Sequence, residues 1–226
     1  MIILYENADI VAVDKPAGVM THADGRSEAE TADDWFKKKY PEGGYAHRID
    51  RDTSGILLFA KNQKALEYLR KAFRDREVKK KYLAFVYGVP KEKKGTIDFD
   101  IGRSRKDFRL RSAQPKARGT LRAAVTKYEV VGDIGTHALL EVRPETGRTH
   151  QIRVHCKAIH HPIVGDPLYA PNHERDLGFT RMGLHAYQLD LPLPSGGRQV
   201  VTAPVPEDLK SGLAKFGPES ERFATV

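Results

Sequence analysis

Cysteine is almost missing from the chain, and long apolar runs are missing altogether. The single cysteine, Cys156, excludes an intramolecular disulfide, and one thiolate cannot build a cysteine-based zinc site. It reads as a small buried apolar residue. The longest apolar stretches, such as Gly55 to Ala60, are strand-sized and far short of the roughly 20 residues that a membrane span requires. The N-terminus has neither a basic leader nor a small-residue cleavage site, and Glu6 and Asp9 interrupt it early, so it does not read as a signal peptide. A cytoplasmic protein with no membrane partner is expected. Internal repeats and low-complexity linkers are also lacking. Acidic residues are the minority, 30 against 38 Lys and Arg, and the net charge of +8 points to a polyanionic partner such as nucleic acid.

What is present is ordinary globular composition, 40% hydrophobic and 30% charged, with enough chain for one large domain or two small ones. Ile2 to Val13 is strand-like, and Asp14-Lys15-Pro16-Ala17-Gly18 ends it with turn residues. Thr31, with an acid three residues on, predicts a capped helix through Tyr40. Ile56 to Ala60 reads as a buried strand. Asn62 then caps a helix running to about Arg76, with an apolar stripe at Ala65, Leu66, Leu69, Ala72 and Phe73. Tyr82 to Val89, Gly95 to Ile101, Leu121 to Val131 and His137 to Val142 read as antiparallel strands. Thr149 to Ile159 reads as a helix capped by Thr149, and Glu207 to Phe216 as a final helix after Pro206. Strands outnumber helices without alternating with them, which favours α+β over a doubly wound parallel sheet. One domain over residues 1–217 is expected, with 218–226 as a fraying tail.

Two polar clusters sit where core elements begin. In Ala46-His47-Arg48-Ile49-Asp50-Arg51-Asp52-Thr53-Ser54-Gly55, Arg48 and Arg51 flank a carboxylate and would keep it ionised, which suits a nucleophile or base. The plain alternative is a loop whose Asp52, Thr53 and Ser54 satisfy local backbone groups. The second cluster runs from Glu145 to His155 and places Arg153 one turn into its helix, able to reach a carboxylate from another segment. His150, His155, His160 and His161 lack the acidic neighbours and one-face spacing of a metal site, so no metal is expected. Between Arg103 and Arg122 lie eight basic residues, Arg103, Arg105, Lys106, Arg109, Arg111, Lys116, Arg118 and Arg122, against one acid, Asp107. They read either as a phosphate track or as a solvated hairpin face. Lys79, Lys80 and Lys81 precede a strand and are a weaker sign of phosphate contact, since such lysines also serve as protection for a strand edge.

The segment HRIDRDTSGILLFAKN resembles the HRLDxxTSG signature of the RluA-type RNA pseudouridine synthases. PETGRTHQIRVHCKAIHHPIVGDPLYA is similar to that family's TGRxHQIRxH and HPxxGDxxYG stretch, and DKPAGVMTH, KKYLAFVYG and Gly183-Leu184-His185-Ala186 fit in the family's order. Ile49 stands where leucine is usual and Ala170 where glycine is frequent, and there is no room ahead of Ile2 for the S4-type RNA-binding domain of some relatives. The resemblance implies a pseudouridine synthase catalytic domain, α+β with a mixed, mostly antiparallel central sheet and flanking helices. It makes Asp50 the essential aspartate, Arg153 the basic residue that pairs with it, Tyr82 the tyrosine against the uracil and Leu184 part of an apolar wall. The implied reaction breaks the N1–C1' bond of a uridine, turns the base and joins C5 to C1', with no cofactor required. A stacked base must be flipped to reach Asp50, and Arg48 is the residue expected to fill the gap. Arg103, Arg105, Lys106 and Arg109 are expected to hold phosphates. The implied partner of this monomer is structured RNA, large-subunit rRNA or tRNA. A non-catalytic RNA-binding protein of the same fold is one competing reading. An RNA-directed hydrolase using Asp50 and Asp52 is another, although carboxylates two apart in a loop do not assure the facing pair that glycosidases need.

Overall fold

The computed structural model describes residues 1–25, 27–104, 107, 110–113 and 117–224. In chain order the elements are β1 (Ile2–Glu6), β2 (Ile10–Lys15), α1 (Ala32–Lys37), β3 (Gly44–Tyr45), β4 (Ser54–Ala60), α2 (Gln63–Arg74) and β5 (Lys79–Tyr87). There follow β6 (Lys94–Asp98), β7 (Ile101–Arg103), β8 (Arg111–Ser112), β9 (Arg118–Arg122), β10 (Val125–Asp133), β11 (His137–Pro144) and α3 (Gln151–Ala158). The last are β12 (Leu184–Pro192), β13 (Arg198–Thr202), α4 (Glu207–Leu213) and α5 (Pro218–Glu221), with a 3-10 turn at Ala214–Phe216. This is the expected α+β class with mostly antiparallel strands. The chain forms two compact units, Met1–Lys80 with Ala186–Pro204, and Lys81–His185 with Val205–Val226. Among the described residues no helix is long and apolar enough to cross a membrane.

In the first unit the strand order is β1-β2-β4-β12, with β3 also on β4 and β13 on β12. The strand-like run from Ile2 to Val13 is broken in two, because the Asn7 side-chain oxygen accepts the Asp9 and Ile10 N–H groups at 2.9 Å each and turns the chain back. Period-two alternation then decides which residues meet which helix. Ile10, Ala12, Ile56, Leu58 and Ala60 face the α2 stripe Ala65, Leu66, Leu69 and Ala72. Val11, Val13, Leu57 and Phe59 pack with Ala32 and Phe36 of α1. β4 is covered on both faces, which is why its sequence is a continuous apolar run rather than an alternating one. Both helices are capped as expected, Thr31 and Asp34 by a reciprocal box and Asn62 by accepting the Ala65 N–H.

The second unit carries β5-β11-β10-β6 and a separate three-stranded sheet, β8-β7-β9. Lys79, Lys80 and Lys81 do not precede β5 but open it. Burial lowers the Lys80 pKa to about 8, and Lys81 lies 3.7 Å from the buried Glu141 carboxylate. Past Gly217, where the sequence suggests a fraying tail, Pro218–Glu221 is helical and Ser220 and Phe223 are buried. Cys156 is buried as expected, and desolvation pushes its thiol up to about 12, leaving it inert.

One glycine is demanded by the packing of the first unit. Gly55, the second residue of β4, has φ +106, and a Cβ there would meet the Ala186 carbonyl oxygen at 2.2 Å. Gly55→Ala therefore adds both backbone strain and a backbone collision, and is expected to cost about 2–5 kcal/mol in urea unfolding, where neutral behaviour would show that β4 and β12 can separate.

Candidate active site

The segment that carries Asp50 is irregular, yet several of its backbone groups are bonded. The Thr21 hydroxyl donates to the Ile49 carbonyl at 2.9 Å, and the Ile49 N–H points back at the same oxygen at 3.4 Å. The Asp50 carbonyl accepts the Thr53 N–H at 3.1 Å. The Arg51 carbonyl accepts the Gly18 N–H at 2.8 Å and the Lys15 ammonium at 3.1 Å. That ammonium also donates to the carbonyls of Pro16 and Val19, at 2.8 and 2.7 Å, and the Lys15 side chain is fully buried. A buried ammonium must be satisfied on every side, so it draws the Lys15–Val19 turn and the Asp50 segment together. Asp50 is half-buried, whereas Arg48 and Arg51 are exposed. Arg51 bonds Asp52 at 3.1 Å, so this arginine is committed to its chain neighbour.

His47 explains how the chain leaves the sheet just before Asp50. Gly44 and Tyr45 pair with Ala60 and Phe59, and the Ala46 N–H donates to the Leu58 carbonyl at 2.8 Å. The next ladder bond is not made by backbone. The Leu58 N–H donates instead to His47 Nε2 at 3.2 Å, so the side chain stands in for a carbonyl and frees the backbone to diverge. The ring stacks on Phe73, centroids 4.6 Å apart. Burial, reinforced by the charge of Lys80, drives the imidazole pKa down to about 3, which keeps Nε2 an acceptor.

In the second unit Arg153 projects from the first turn of α3 and is buried. Its Nε and Nη2 atoms donate to the two oxygens of Asp166 at 2.7 and 2.8 Å, a bidentate fork, and the Leu168 and Tyr169 N–H groups donate to Asp166 Oδ1 at 2.9 and 3.0 Å. The guanidinium also lies over the Tyr169 ring, 5.1 Å from its centroid. Asp166 was missed as a partner by residue-level reasoning. The signal available was its place in the GDPLY stretch, where an acid two residues before a short turn suits backbone capping. Thr149 does not cap α3. The cap position is His150, at φ 57 and without a side-chain cap bond, because the Gln151 amide already holds the entry turn. Gln151 Oε1 accepts the Thr146 hydroxyl and the Arg148 N–H, at 2.7 and 3.0 Å, and Nε2 donates to the Val125 carbonyl and Thr126 hydroxyl.

Tyr82 is buried on β5, three residues before Phe85, whose N–H donates to the Gly183 carbonyl and whose carbonyl accepts the Val164 N–H. The segments that bear Asp166 and the buried Leu184 are thereby sewn to the strand that bears Tyr82. Of the basic run, Arg103 and Arg122 are exposed and Arg111 half-buried, whereas Arg105, Lys106, Arg109 and Lys116 lie outside the described residues. Arg103 faces Arg111 in register on one side and Arg118 on the other. Three of the four histidines have structural side-chain partners: His150 Nδ1 the Tyr169 hydroxyl, His155 Thr126 and the Phe99 carbonyl, and His161 the Tyr87 carbonyl. Among the described residues no group of three or more His, Cys, Asp or Glu side chains is placed to hold a metal.

Residues 9–158 match the family model for RNA pseudouridylate synthases. A ribosomal large subunit pseudouridine synthase D of Xanthomonas campestris is 37% identical, the match covering 99% of this chain and 72% of the relative. A protein of Chlorobaculum parvum named as an uncharacterized RNA pseudouridine synthase is 38% identical over 95% of this chain and 73% of its own length. Among solved structures, human RNA pseudouridylate synthase domain containing 1 superposes with a TM-score of 0.79 at 29% identity, covering 93% of this chain and 85% of that one.

Two outcomes follow from these contacts. Asp166→Ala strands a buried guanidinium and is expected to destabilise the protein by about 3–5 kcal/mol in denaturant unfolding, a loss that a surface pair would not show. His47 should stay neutral at pH 5 by ring carbon chemical shifts. Because its folded pKa of about 3 lies below the ordinary 6.5, the stability it provides is complete above pH 6.5 and is lost as pH falls from there toward 3. His47→Gln should flatten that part of the pH–stability curve, and an unaltered curve would deny the acceptor role.

Proposed function

The chain belongs to the RNA pseudouridylate synthase family, and from that premise we propose that it isomerises selected uridines of structured RNA through the carboxylate of Asp50. Membership makes it an isomerase acting on RNA uridine. The observation that carries the assignment to Asp50 is the clamp on its segment. Backbone groups of Ile49, Asp50 and Arg51 bond Thr21, Thr53, Gly18 and Lys15, so the carboxylate is mounted on a prearranged support, as a group that must meet a reacting atom needs.

The reaction exchanges an N1–C1' bond for a C5–C1' bond, with the C5 proton lost to solvent, a proton gained from solvent at N1 and no redox change. A carboxylate that bonds to substrate divides this exchange into easier steps. Tyr82 is the aromatic surface beside the uracil, Leu184 the apolar wall and Arg153 the cation that stabilises the ionised carboxylate. Flipping the nucleotide costs a few kcal/mol, and exposed Arg48, two residues from Asp50, occupies the vacated place in the stack. Arg103 and Arg111 supply phosphate contacts. Like charges paired across a ladder are unfavourable alone and become favourable with a polyanion between them. Large-subunit rRNA is the first candidate substrate, after the Xanthomonas relative's name, and tRNA the second. The protein acts as a cytoplasmic monomer without a cofactor.

Tritium release from [5-³H]uridine-labelled rRNA and tRNA is the direct test. Wild type is expected to release tritium from one pool and Asp50→Asn to be slower by at least about a hundredfold. RNA binding without release by the wild type would instead assign a non-catalytic RNA-binding role.

A further inference from the structure

Tyr169 is 3% exposed, and its phenol oxygen joins three parts of the second unit. It accepts the Arg111 N–H of β8 at 2.8 Å and shares a second hydrogen bond with His150 Nδ1 at 2.9 Å. His150 is the left-handed residue at the start of α3, the helix from which Arg153 projects. The Tyr169 ring lies under the Arg153 guanidinium, and its N–H bonds the carboxylate that grips the same arginine. Around it Ile101 of β7, Ala113, Ala124 and Val154 of α3 form one apolar cluster. β8 is only two residues long and β7 three, and so small a sheet has little cohesion of its own.

We propose that the Tyr169 hydroxyl is a positioning group that fixes the basic β8-β7-β9 sheet relative to Arg153, so that RNA gripped by Arg103 and Arg111 is presented in one register to the site. This rests on the RNA-modifying reading above and extends it to how the substrate is placed. The ring alone can satisfy the apolar cluster and the stack on Arg153. The hydroxyl ties β8 to His150, and a buried phenol is retained where its oxygen has such partners.

The test measures dissociation constants for large-subunit rRNA across a KCl series, with wild type, Tyr169→Phe, Arg103→Gln and the double variant, and tritium release on the labelled RNA in parallel. Tyr169→Phe is expected to weaken binding about tenfold and to shallow the logarithmic salt slope by about one, the loss of one phosphate contact. It should raise KM by more than it lowers kcat. The double variant should bind within about twofold of the weaker single variant, since both losses act on one contact. Additive losses, or unchanged affinity and slope in a folded Tyr169→Phe protein, would overturn the proposal, as would a fall in kcat at constant KM. If Tyr169→Phe does not unfold cooperatively, His150→Asn removes the opposite partner while tolerating the left-handed backbone, and carries the same comparison. Wild-type binding without tritium release would sink the catalytic reading while leaving the binding series to decide the role of Tyr169.

Discussion

A buried ammonium is the constraint around which the first unit is arranged. Lys15 has no solvent, so its three protons have to find acceptors inside the protein, and the carbonyls of Pro16, Val19 and Arg51 converge on it. Two of those carbonyls belong to the turn that follows β2 and the third to the segment that carries Asp50. Satisfying one charge therefore joins two stretches of chain 36 residues apart. Thr21 and Gly18 repeat the join with neutral hydrogen bonds. The irregular backbone at Asp50 is consequently tied to the turn after β2 through the carbonyls of Ile49 and Arg51, although it belongs to no strand.

The same logic, with the opposite sign of charge, organises the second unit. Asp166 is fully buried and is matched by the two-pronged guanidinium of Arg153 and by two backbone N–H groups. A buried pair repays its desolvation only with such geometry and full satisfaction, and both conditions hold here. The cost is rigidity. Arg153 is held by its carboxylate and by the Tyr169 ring, and Tyr169 in turn reaches β8. A cation needed in a fixed place is supported by groups that are themselves fixed.

His47 and Lys80 show electrostatics used to withhold charge rather than supply it. The imidazole is neutral because it is enclosed beside a cation, and neutrality is what lets Nε2 accept the Leu58 N–H and release the chain toward Asp50. Arg103 on β7 does the reverse, leaving positive charge in water. Charge is thus withheld where geometry must be kept and left in water at Arg103.

Much of this could be read from the chain because it is local. The stripe Ala65, Leu66, Leu69 and Ala72, the caps Thr31 and Asn62, and the buried run of β4 follow from spacing and from hydrogen bonds within three or four residues. The motif around Asp50 and the helix bearing Arg153 were legible for the same reason. The left-handed His150 in place of a Thr149 cap, Asp166 as the partner of Arg153, and the burial of Lys15 were decided by tertiary structure. Each depends on which donors and acceptors from distant segments are brought within about 3 Å, and strand register and buried-charge satisfaction set that, neither of which has a period or a spacing in the sequence.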